Sequence, residues 1–377
     1  MRWFRGLIIG VLVAASVNFA PSTRLMEPLS ADVRMVGADF SFTLQEEATN
    51  NHVSENGETR PVEQILAGNG VNYSRLRLWV NPESGKNDLS SALAMGKRSN
   101  AAGMKLLLNL HYSDTWADHN DQDLPAAWRG LDMEGLTLQV RRYTREVLQA
   151  FARQGTPVSI VQLGNEVTNG MLWPFGQIYS SGEEHWEGFA ELVKAGAAGA
   201  RESNPENPPL IMLHTHGGGD LKVTRHFFDN AREHNMPFDL IGVTFYPFWG
   251  GSLGRLGRNL AYMAERYDKD IIVVETGYPW TLETSEDGPN VVRNASMLPQ
   301  SAVYPPTPEG QADYYRGLRR VLANVPSGHG AGFFVWEPGW LPGVDAASNG
   351  GNGYSNLTLF DWEGRGLPGL KALNPVR

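Results

Sequence analysis

Eight short runs of apolar residues recur along the chain. Each is followed by polar or Gly/Pro-rich residues and then by a segment with helical periodicity. Runs of this length with few polar interruptions are typical of strands buried on both faces, as in a parallel sheet. The segments between them, such as 135–154 and 187–203, place apolar residues three and four positions apart, which indicates amphipathic helices. The predicted strands are VRMVGADFSF (33–42), YSRLRLWV (73–80), KLLLNLHY (105–112), VSIVQLGNE (158–166), PLIMLHTH (209–216), DLIGVTFYP (239–247), DIIVVETGYP (270–279) and GAGFFVWEPG (330–339).

The alternation of strands with helices predicts an α/β protein, and eight such units predict a single (β/α)8 TIM barrel. No linker or low-complexity stretch divides the chain, so we predict one catalytic domain over residues 31–377. An open, doubly wound sheet is the alternative. It would carry a Gly-rich phosphate-binding turn after the first strand, whereas GGGD at 217–220 comes too late and has the wrong spacing.

Composition narrows the classes of function. The formal net charge is −9 and no long basic run occurs, so a nucleic-acid partner is not expected. The chain has no cysteine, which excludes disulfides and thiol catalysis. We predict neither a redox nor a nucleotide cofactor.

The first 20 residues have the pattern of a secretory signal peptide. Two arginines precede a short apolar stretch, and small residues follow it. The apolar stretch is short for a membrane span; an uncleaved anchor or a core helix is the alternative. We therefore predict a secreted or periplasmic monomer with no stable membrane association.

Polar and aromatic side chains collect at the carboxyl ends of the predicted strands. In a (β/α)8 barrel these ends meet at one mouth, where the active site lies. The sequence therefore predicts a single site from residues on different strands. The strand-end residues are Asp39, Arg77, Trp79, His111, Asn165, Glu166, His214, His216, Tyr246, Glu275, Trp336 and Glu337.

Two glutamates carry the candidate chemistry. Glu166 ends the fourth predicted strand and Glu275 the seventh, and strands three apart in an eight-membered ring stand nearly opposite each other. Glycoside hydrolysis needs such a pair, because one carboxyl protonates the leaving oxygen while the other attacks the sugar or activates water. Repulsion between two close carboxylates would raise the pKa of one of them.

The Asn-Glu end of strand 4 together with the Glu end of strand 7 resembles the large clan of retaining β-glycosidases built on this barrel. More specific motifs, in order along nearly the whole chain, resemble the endo-β-1,4-galactanases of glycoside hydrolase family 53. These motifs are GADFS (37–41), RLRLWVNP (75–82), LNLHYSDTWAD (108–118), PAAW (125–128), VQLGNEVTNGMLWP (161–174), FDLIGVTFYPFWGGSL (238–253) and VVETGYPWT (273–281).

The resemblance implies an enzyme that cleaves the β-1,4-galactan of type I arabinogalactan in pectin internally and with retention. Glu166 would be the acid/base and Glu275 the nucleophile. Asn165 would hydrogen-bond the sugar 2-hydroxyl, Tyr246 would orient Glu275, and Arg77 would hold the negative charge of Glu275. Further substrate-binding residues would be Asp39, His111, His214, Trp79, Trp116 and Trp336, with Trp336 as a platform under the sugar at the cleavage site.

Two stretches depart from the family pattern. His119 follows Trp116-Ala-Asp118 where the family usually has proline, and GNGYSNLTLFD (351–361) stands where a Trp-Glu pair is expected. Both changes fall in loops after strands, so they leave subsite number and product length open. Some family members bind calcium in the last loop, but residues 340–360 show no convincing run of oxygen ligands, and we predict no metal.

Three alternatives remain open. Endo-β-mannanases and endo-β-1,4-xylanases share the clan, and only the loop motifs speak against them. A metal-dependent hydrolase could bind zinc through His214 and His216, with His111 and Asp39 completing the site. A non-catalytic protein on the same scaffold would bind galactan and leave it intact.

Overall fold

Eight parallel strands close into a barrel in the computed structural model, with each strand paired to its sequence neighbour and the last paired to the first. The structure describes residues 33–83, 85–344 and 352–374, and the predicted signal peptide (1–20) lies outside them. The strands are β1 (Met35–Asp39), β2 (Tyr73–Leu78), β3 (Lys105–Leu110), β4 (Val158–Leu163), β5 (Leu210–Thr215), β6 (Leu240–Thr244), β7 (Asp270–Thr276) and β8 (Gly330–Trp336).

The predicted barrel is confirmed, and each apolar run contains one strand. The runs extend beyond the strands; the fourth strand, for example, ends at Leu163 and not at Glu166. There the chain leaves the sheet at Gly164, so Asn165 and Glu166 stand in the turn above it. The polar ends of the runs are therefore residues of the barrel mouth.

Helices connect the strands and cover the barrel. Several begin at a side chain that accepts a hydrogen bond from a free backbone N–H, as Asp132 does from Gly135 and Thr307 from Gly310. The described helices are α1 (Thr43–Ala48), α2 (Val62–Gly68), α3 (Leu89–Ala101), α4 (Met133–Arg153), α5 (Trp186–Ser203), α6 (Leu221–Glu233), α7 (Pro247–Gly250), α8 (Leu253–Tyr267), α9 (Pro308–Ala323) and α10 (Pro368–Lys371).

Short elements occupy the connections. Antiparallel pairs join 54–55 to 58–59, 170–171 to 176–177 and 179–180 to 183–184. Single 3-10 turns lie at Ala126–Trp128, Val167–Asn169, Ala295–Met297, Pro326–Gly328 and Ser355–Leu357. Among the described helices, none is long and apolar enough to cross a membrane.

Apolar side chains fill the inside of the barrel. Phe334 of β8 is fully buried there and packs edge-to-face against Tyr73 of β2, with ring centroids 6.2 Å apart. Gly37 on the neighbouring β1 makes room for it, since a Cβ at that position would lie 2.2 Å from the Phe334 ring. This filled interior is the rigid floor on which the mouth residues stand.

Truncation of this floor should destabilise the whole barrel. Phe334→Ala should lower the free energy of unfolding by about 3–5 kcal/mol, because the emptied space is enclosed and cannot collapse fully. Chemical denaturation followed by tryptophan fluorescence measures the loss. Leu138→Ala, which truncates a side chain that is 60% exposed on α4, is the matched control and should change stability by less than about 0.5 kcal/mol. Equal losses in the two variants would contradict the packing assigned to Phe334.

Candidate active site

A cavity of about 760 Å³ opens at the carboxyl ends of the barrel strands. Both candidate glutamates, Glu166 and Glu275, line it. Its wall combines charged groups with large aromatic rings, which is the composition of a site that binds a sugar chain by hydrogen bonds and stacking. The aromatic side chains of the wall are Trp116, Trp249, Trp336, Trp340, Tyr246 and Tyr354.

A sharp backbone turn delivers Glu166 to the cavity. Gly164 follows β4 with φ +76°, where a Cβ would lie 2.4 Å from the Val167 side chain, so glycine is required there. Glu166 itself has φ +47° and ψ +46°, a left-handed conformation that is unfavourable for a residue with a side chain. Strain of this kind persists only where the surrounding structure enforces it.

Two donors hold the Glu166 carboxylate. The Thr244 hydroxyl donates to Oε1 at 2.5 Å, and His119 Nδ1 lies 3.0 Å from Oε2. Thr244 in turn lies 2.8 Å from Nε2 of His214, while Nδ1 of His214 accepts from Gln162. The hydrogen-bond pattern therefore assigns the proton of His214 to Nε2, which donates to Thr244.

Glu275 has a different set of partners. Its Oε2 lies 3.2 Å from Nη1 of Arg75, and its Oε1 accepts a hydrogen bond of 3.2 Å from the Tyr246 hydroxyl. Its side chain is 13% exposed, so the guanidinium is the positive charge that compensates the carboxylate in a largely buried place.

The two carboxyls have pKa values moved in opposite directions. Burial, together with the negative charges of Glu166 and Asp39, raises the pKa of Glu275 to about 7 although Arg75 opposes this. Burial also acts to raise the pKa of Glu166, but the hydrogen bond from His119 and the other donors lower it to about 2. Burial thus favours the protonated form of Glu275, whereas the donors around Glu166 favour its ionised form.

Arg75 connects the site to the barrel interior. It is 1% exposed on β2, and besides Glu275 it binds Asp39 (3.0 Å) and Asn165 (2.8 Å). Nε of Arg75 also donates to Gln162 at 3.3 Å. One guanidinium on β2 thus joins groups from three other strands, namely β1, β4 with the turn after it, and β7.

The expectation that Arg77 holds the charge of Glu275 is wrong. The Arg77 guanidinium pairs with Glu337 at 2.7 Å and lies 3.7 Å from Asp39. Arg75 and Arg77 are two apart on β2, so both point into the barrel. Arg77 nevertheless faces the end of β8, while Arg75 reaches Glu275 at the end of β7.

Asn165 lines the cavity beside Glu166. Its Oδ1 accepts from Arg75 and from Asn109 (3.0 Å), and its Nδ2 donates to the carbonyl of Ala117 at 2.8 Å. The orientation of the amide is therefore fixed. The second Nδ2 hydrogen is left available for a hydroxyl acceptor on a ligand.

Asp39 and His214 lie behind the cavity wall, and neither lines the cavity. Both are fully buried, and Asp39 accepts from the Ser41 hydroxyl at 2.6 Å besides binding Arg75. Burial and the charge of Arg75 lower the pKa of His214 to about 3, so its imidazole is neutral at physiological pH. Both residues position groups that reach the cavity and do not themselves meet a ligand there.

His111 does line the cavity. It is 2% exposed, and burial with the charges of Arg77 and Arg75 lowers its pKa well below the usual value. Its Nδ1 accepts from the Ala117 N–H at 3.3 Å and its Nε2 lies 3.1 Å from Nδ2 of Asn109, so both ring nitrogens already have protein partners and the neutral imidazole brings no charge to the cavity.

Of the three tryptophans predicted to bind substrate, two line the cavity and one does not. Trp116 and Trp336 line the cavity, with ring centroids 6.3 Å apart. Trp79 lies behind Trp116, with ring centroids at 5.4 Å in an edge-to-face contact, and it is outside the cavity lining. Trp79 therefore supports the Trp116 ring instead of presenting its own face.

The sequence analysis did not predict four residues of the site. Three of them contact the glutamates directly: Arg75, Thr244 and His119. The fourth is Tyr354, whose ring centroid lies 4.8 Å from that of Trp336 in the cavity wall. The RLRL pattern of β2 contained the signal for Arg75, since its side chain shares a face with that of Arg77. Thr244 carried no such signal, because a threonine in a strand is ordinary.

The histidines proposed as zinc ligands have other partners. Nδ1 of His216 lies 2.7 Å from the Thr168 hydroxyl, and its ring stacks on that of His119 at 4.1 Å. Within residues 33–83, 85–344 and 352–374, no group of three or more His, Asp or Glu side chains is arranged to hold a metal ion.

Comparison with known proteins identifies close relatives. The profile of Glycosyl hydrolase family 53 matches residues 35–373. An arabinogalactan endo-beta-1,4-galactanase A of Aspergillus niger is 37% identical over 337 residues, which is 88% of this chain and 91% of the relative. The GH53 catalytic domain of Ignisphaera aggregans superposes with a TM-score of 0.84 at 32% identity, covering 93% of this chain and 97% of that domain. A structure of fungal beta-1,4-galactanases gives a TM-score of 0.80 at 32% identity, covering 91% and 100%.

Loss of the Arg75 charge should disturb both stability and protonation. Arg75→Met should lower the free energy of unfolding by about 3–5 kcal/mol, because it leaves buried carboxylates without their cation. The pKa of Glu275 should rise further, since Arg75 acts to lower it. Urea denaturation at neutral pH measures the first effect. Arg255→Met is the matched control, because Arg255 lines the same cavity but is half-exposed and pairs with Asp220 only at 3.5 Å. A loss in Arg75→Met no larger than in the control would refute the central role of Arg75.

Proposed function

Because this chain belongs to glycosyl hydrolase family 53, we propose that it cleaves internal β-1,4-galactosidic linkages of arabinogalactan by a retaining mechanism. Glu166 is the acid/base and Glu275 the nucleophile. The observation that supports these roles is the pair of carboxyls in one aromatic cavity, each with its own set of partners. The names of the galactanase relatives support the substrate class.

The first step forms a glycosyl-enzyme. Glu275 attacks the anomeric carbon, and Glu166 gives its proton to the leaving oxygen. Arg75 and Tyr246 suit this step, because they hold the attacking carboxylate in place. As the carboxylate charge passes to the sugar ester, the two donors stay fixed in the barrel and need no reorganisation.

The second step hydrolyses that ester. Glu166, now ionised, takes a proton from water, and the water oxygen attacks the anomeric carbon from the face that the leaving group vacated. The bond between the anomeric carbon and Glu275 breaks, and the Glu275 carboxylate is released. Two inversions give net retention. The donors Thr244 and His119 favour the ionised form of Glu166, which is the form that this step uses.

The surroundings of the two carboxyls favour protonation states opposite to those that the first step needs. Burial favours the protonated form of Glu275 and the donors around Glu166 favour its ionised form, whereas the attack requires Glu275 ionised and Glu166 protonated. A sugar that covers the cavity would exclude water from Glu166 and thereby favour its neutral form.

Aromatic and amide groups are placed to bind the polysaccharide. Trp336 and Trp116 present ring faces or edges to the cavity, and sugar rings have flat C–H faces that pack on such rings. The second Nδ2 hydrogen of Asn165 is available to the 2-hydroxyl of the sugar at the cleavage site. Stacking and hydrogen bonding of this kind can bind an uncharged polysaccharide.

Action outside the cytoplasm is part of the proposal. Its support is the signal-like pattern of residues 1–20 and the size of a polysaccharide substrate. Sequencing the amino terminus of enzyme recovered from culture medium or periplasm tests it. An unprocessed chain found only in the cytoplasm would oppose the proposal.

Substrate class is tested by reducing-end release from β-1,4-galactan beside β-mannan, β-xylan and carboxymethylcellulose. We expect rapid release of short oligomers from galactan alone, with unchanged rates after exhaustive chelation. Cleavage of mannan or xylan instead would keep the two-glutamate mechanism and refute the substrate. Binding of galactan without cleavage would favour a glycan-binding protein, and activity lost on chelation would favour the metal-dependent hydrolase.

Roles of the two glutamates are tested by alanine variants on an aryl β-galactoside with a good leaving group. Glu275→Ala should lose several orders of magnitude in turnover, and azide should restore part of it as an α-galactosyl azide, because azide attacks in place of the nucleophile. In Glu166→Ala, azide should attack the glycosyl-enzyme and give the β-galactosyl azide.

Glu184→Ala removes an exposed carboxylate outside the cavity and is the control, with activity near that of the parent. The same azide anomer from both active-site variants would show that the roles are misassigned.

A further inference from the structure

Among the histidines that the structure describes, His119 alone contacts the carboxylate of Glu166 or Glu275 through its ring while still facing solvent. Its Nδ1 lies 3.0 Å from Oε2 of Glu166, and its side chain is 37% exposed against 11% for Glu166. It stands in the loop after β3, at the position where the chain departs from the Trp-Ala-Asp-Pro pattern.

The tautomer of His119 follows from its second nitrogen. Nε2 of His119 lies 3.1 Å from the side-chain nitrogen Nδ2 of Asn120, which can only donate a hydrogen bond. Nε2 is therefore the acceptor and Nδ1 carries the hydrogen, so the neutral imidazole already donates to Glu166. A protonated ring would donate the same hydrogen and add a positive charge.

Stacking fixes the direction of this donor. The His119 ring lies on that of His216 with centroids 4.1 Å apart and an angle of 18° between the planes. His216 is itself anchored to the Thr168 hydroxyl at 2.7 Å. His119 is therefore held over Glu166 by the stacked ring of His216 and by the Asn120 side-chain amide, besides its hydrogen bond to the carboxylate.

We propose that His119 is a positioning residue that holds Glu166 as the carboxylate before substrate binds, and so decides which of the two glutamates carries the proton that they share. This inference rests on the proposed function for its catalytic meaning, but the contact itself does not depend on any substrate. Its chemical consequence is a bias toward the base form of Glu166 and against the acid form.

Other charged and titratable groups surround the pair. They act on Glu166 or His119 from the elements packed against them, and they are Asp118, His214, His216, Glu275, Tyr246 and Tyr354. Of these, none lies within hydrogen-bonding distance of the Glu166 carboxylate among the described residues; its direct partners are Thr244 and His119. Thr244 cannot be charged, so His119 is the adjustable one.

The directions of the pKa shifts agree with this geometry. The hydrogen bond to Glu166 raises the pKa of His119, and the hydrogen bond from His119 is the largest influence that lowers the pKa of Glu166 against the effect of burial. Without the imidazole donor, the pKa of Glu166 should therefore rise, and Glu166 should compete better with Glu275 for a proton.

The test measures the pKa of Glu166 directly, by NMR of carboxyl-labelled glutamate in the Glu275→Gln background. That background leaves one carboxyl of the pair to titrate, and loss of the signal in Glu166→Gln assigns it. His119→Phe keeps a ring to stack on His216 but removes the donor, and it should raise the pKa by about one unit or more, a tenfold change in proton affinity.

His119→Gln restores a neutral donor and should return at least half of that shift. His226→Phe breaks a similar His–Glu contact to Glu184 outside the cavity and should leave the Glu166 signal unmoved. A pKa of Glu166 that is equal in the parent and in His119→Phe would overturn the proposal, whatever the substrate of the enzyme proves to be.

Kinetics in the otherwise unchanged enzyme provide the second readout. His119→Phe should raise kcat/KM for galactan several-fold, because more of the enzyme carries the proton on Glu166. For an aryl glycoside whose leaving group needs no proton, kcat/KM should stay within about twofold when it is measured above the pKa of Glu275, where the nucleophile is already ionised. Equal changes on both substrates would show that His119 acts on binding or folding and would overturn its role in proton placement. If galactan is not cleaved at all, the proposed function fails while the NMR measurement still decides the proposal.

Discussion

A single buried cation organises the mouth of this barrel. Arg75 is almost fully buried, and its guanidinium joins Asp39, Glu275, Asn165 and Gln162. A buried charge is costly unless its partners surround it, and each of those partners would be costly without the cation. The five groups are therefore stable only as a set. Because they come from different strands, the set requires that the barrel close in one register. The closed barrel in turn holds Glu275 and Asn165 within hydrogen-bonding distance of Arg75.

The carboxyls of Glu275 and Glu166 receive different kinds of support, and this difference fits their proposed roles. Glu275 is held by a permanent cation and a phenol whose own pKa is raised by burial and by Glu275, so its partners do not change protonation near neutral pH. Glu166 is held by a hydroxyl and a half-exposed imidazole, and both can rearrange or exchange protons. A nucleophile needs a constant environment, whereas a group that must be an acid in one step and a base in the next needs one that can change.

The fold was predictable because the eight strands are buried on both faces and lie in apolar runs with few polar interruptions, and the glutamates were predictable because they stand at the polar ends of two of those runs. The sequence did not distinguish Arg75 from Arg77, since period-two alternation gives the face of a strand but not the depth at which a side chain meets its partner. The same limit applies to Trp79 and Trp116, of which only Trp116 reaches the cavity. His119 lies in a loop without periodicity, where only the folded chain shows that it faces Glu166.

Backbone conformation shows how the barrel delivers these side chains. Tyr112, Glu166 and Glu337 all follow strands and all have positive φ, at 54°, 47° and 42°. A residue with a side chain pays about 1 kcal/mol or more for this conformation. The turn is nevertheless useful, because it bends the chain away from the sheet directly above the buried network and leaves Glu166 and Glu337 next to their partners. The strain is tolerated because the filled barrel below it, with Phe334 against Gly37, supplies stability that does not depend on the mouth. The packed barrel interior thus stabilises strained backbone at the barrel mouth. It holds Glu166 and Glu337 in left-handed conformations that their local sequence alone would not favour.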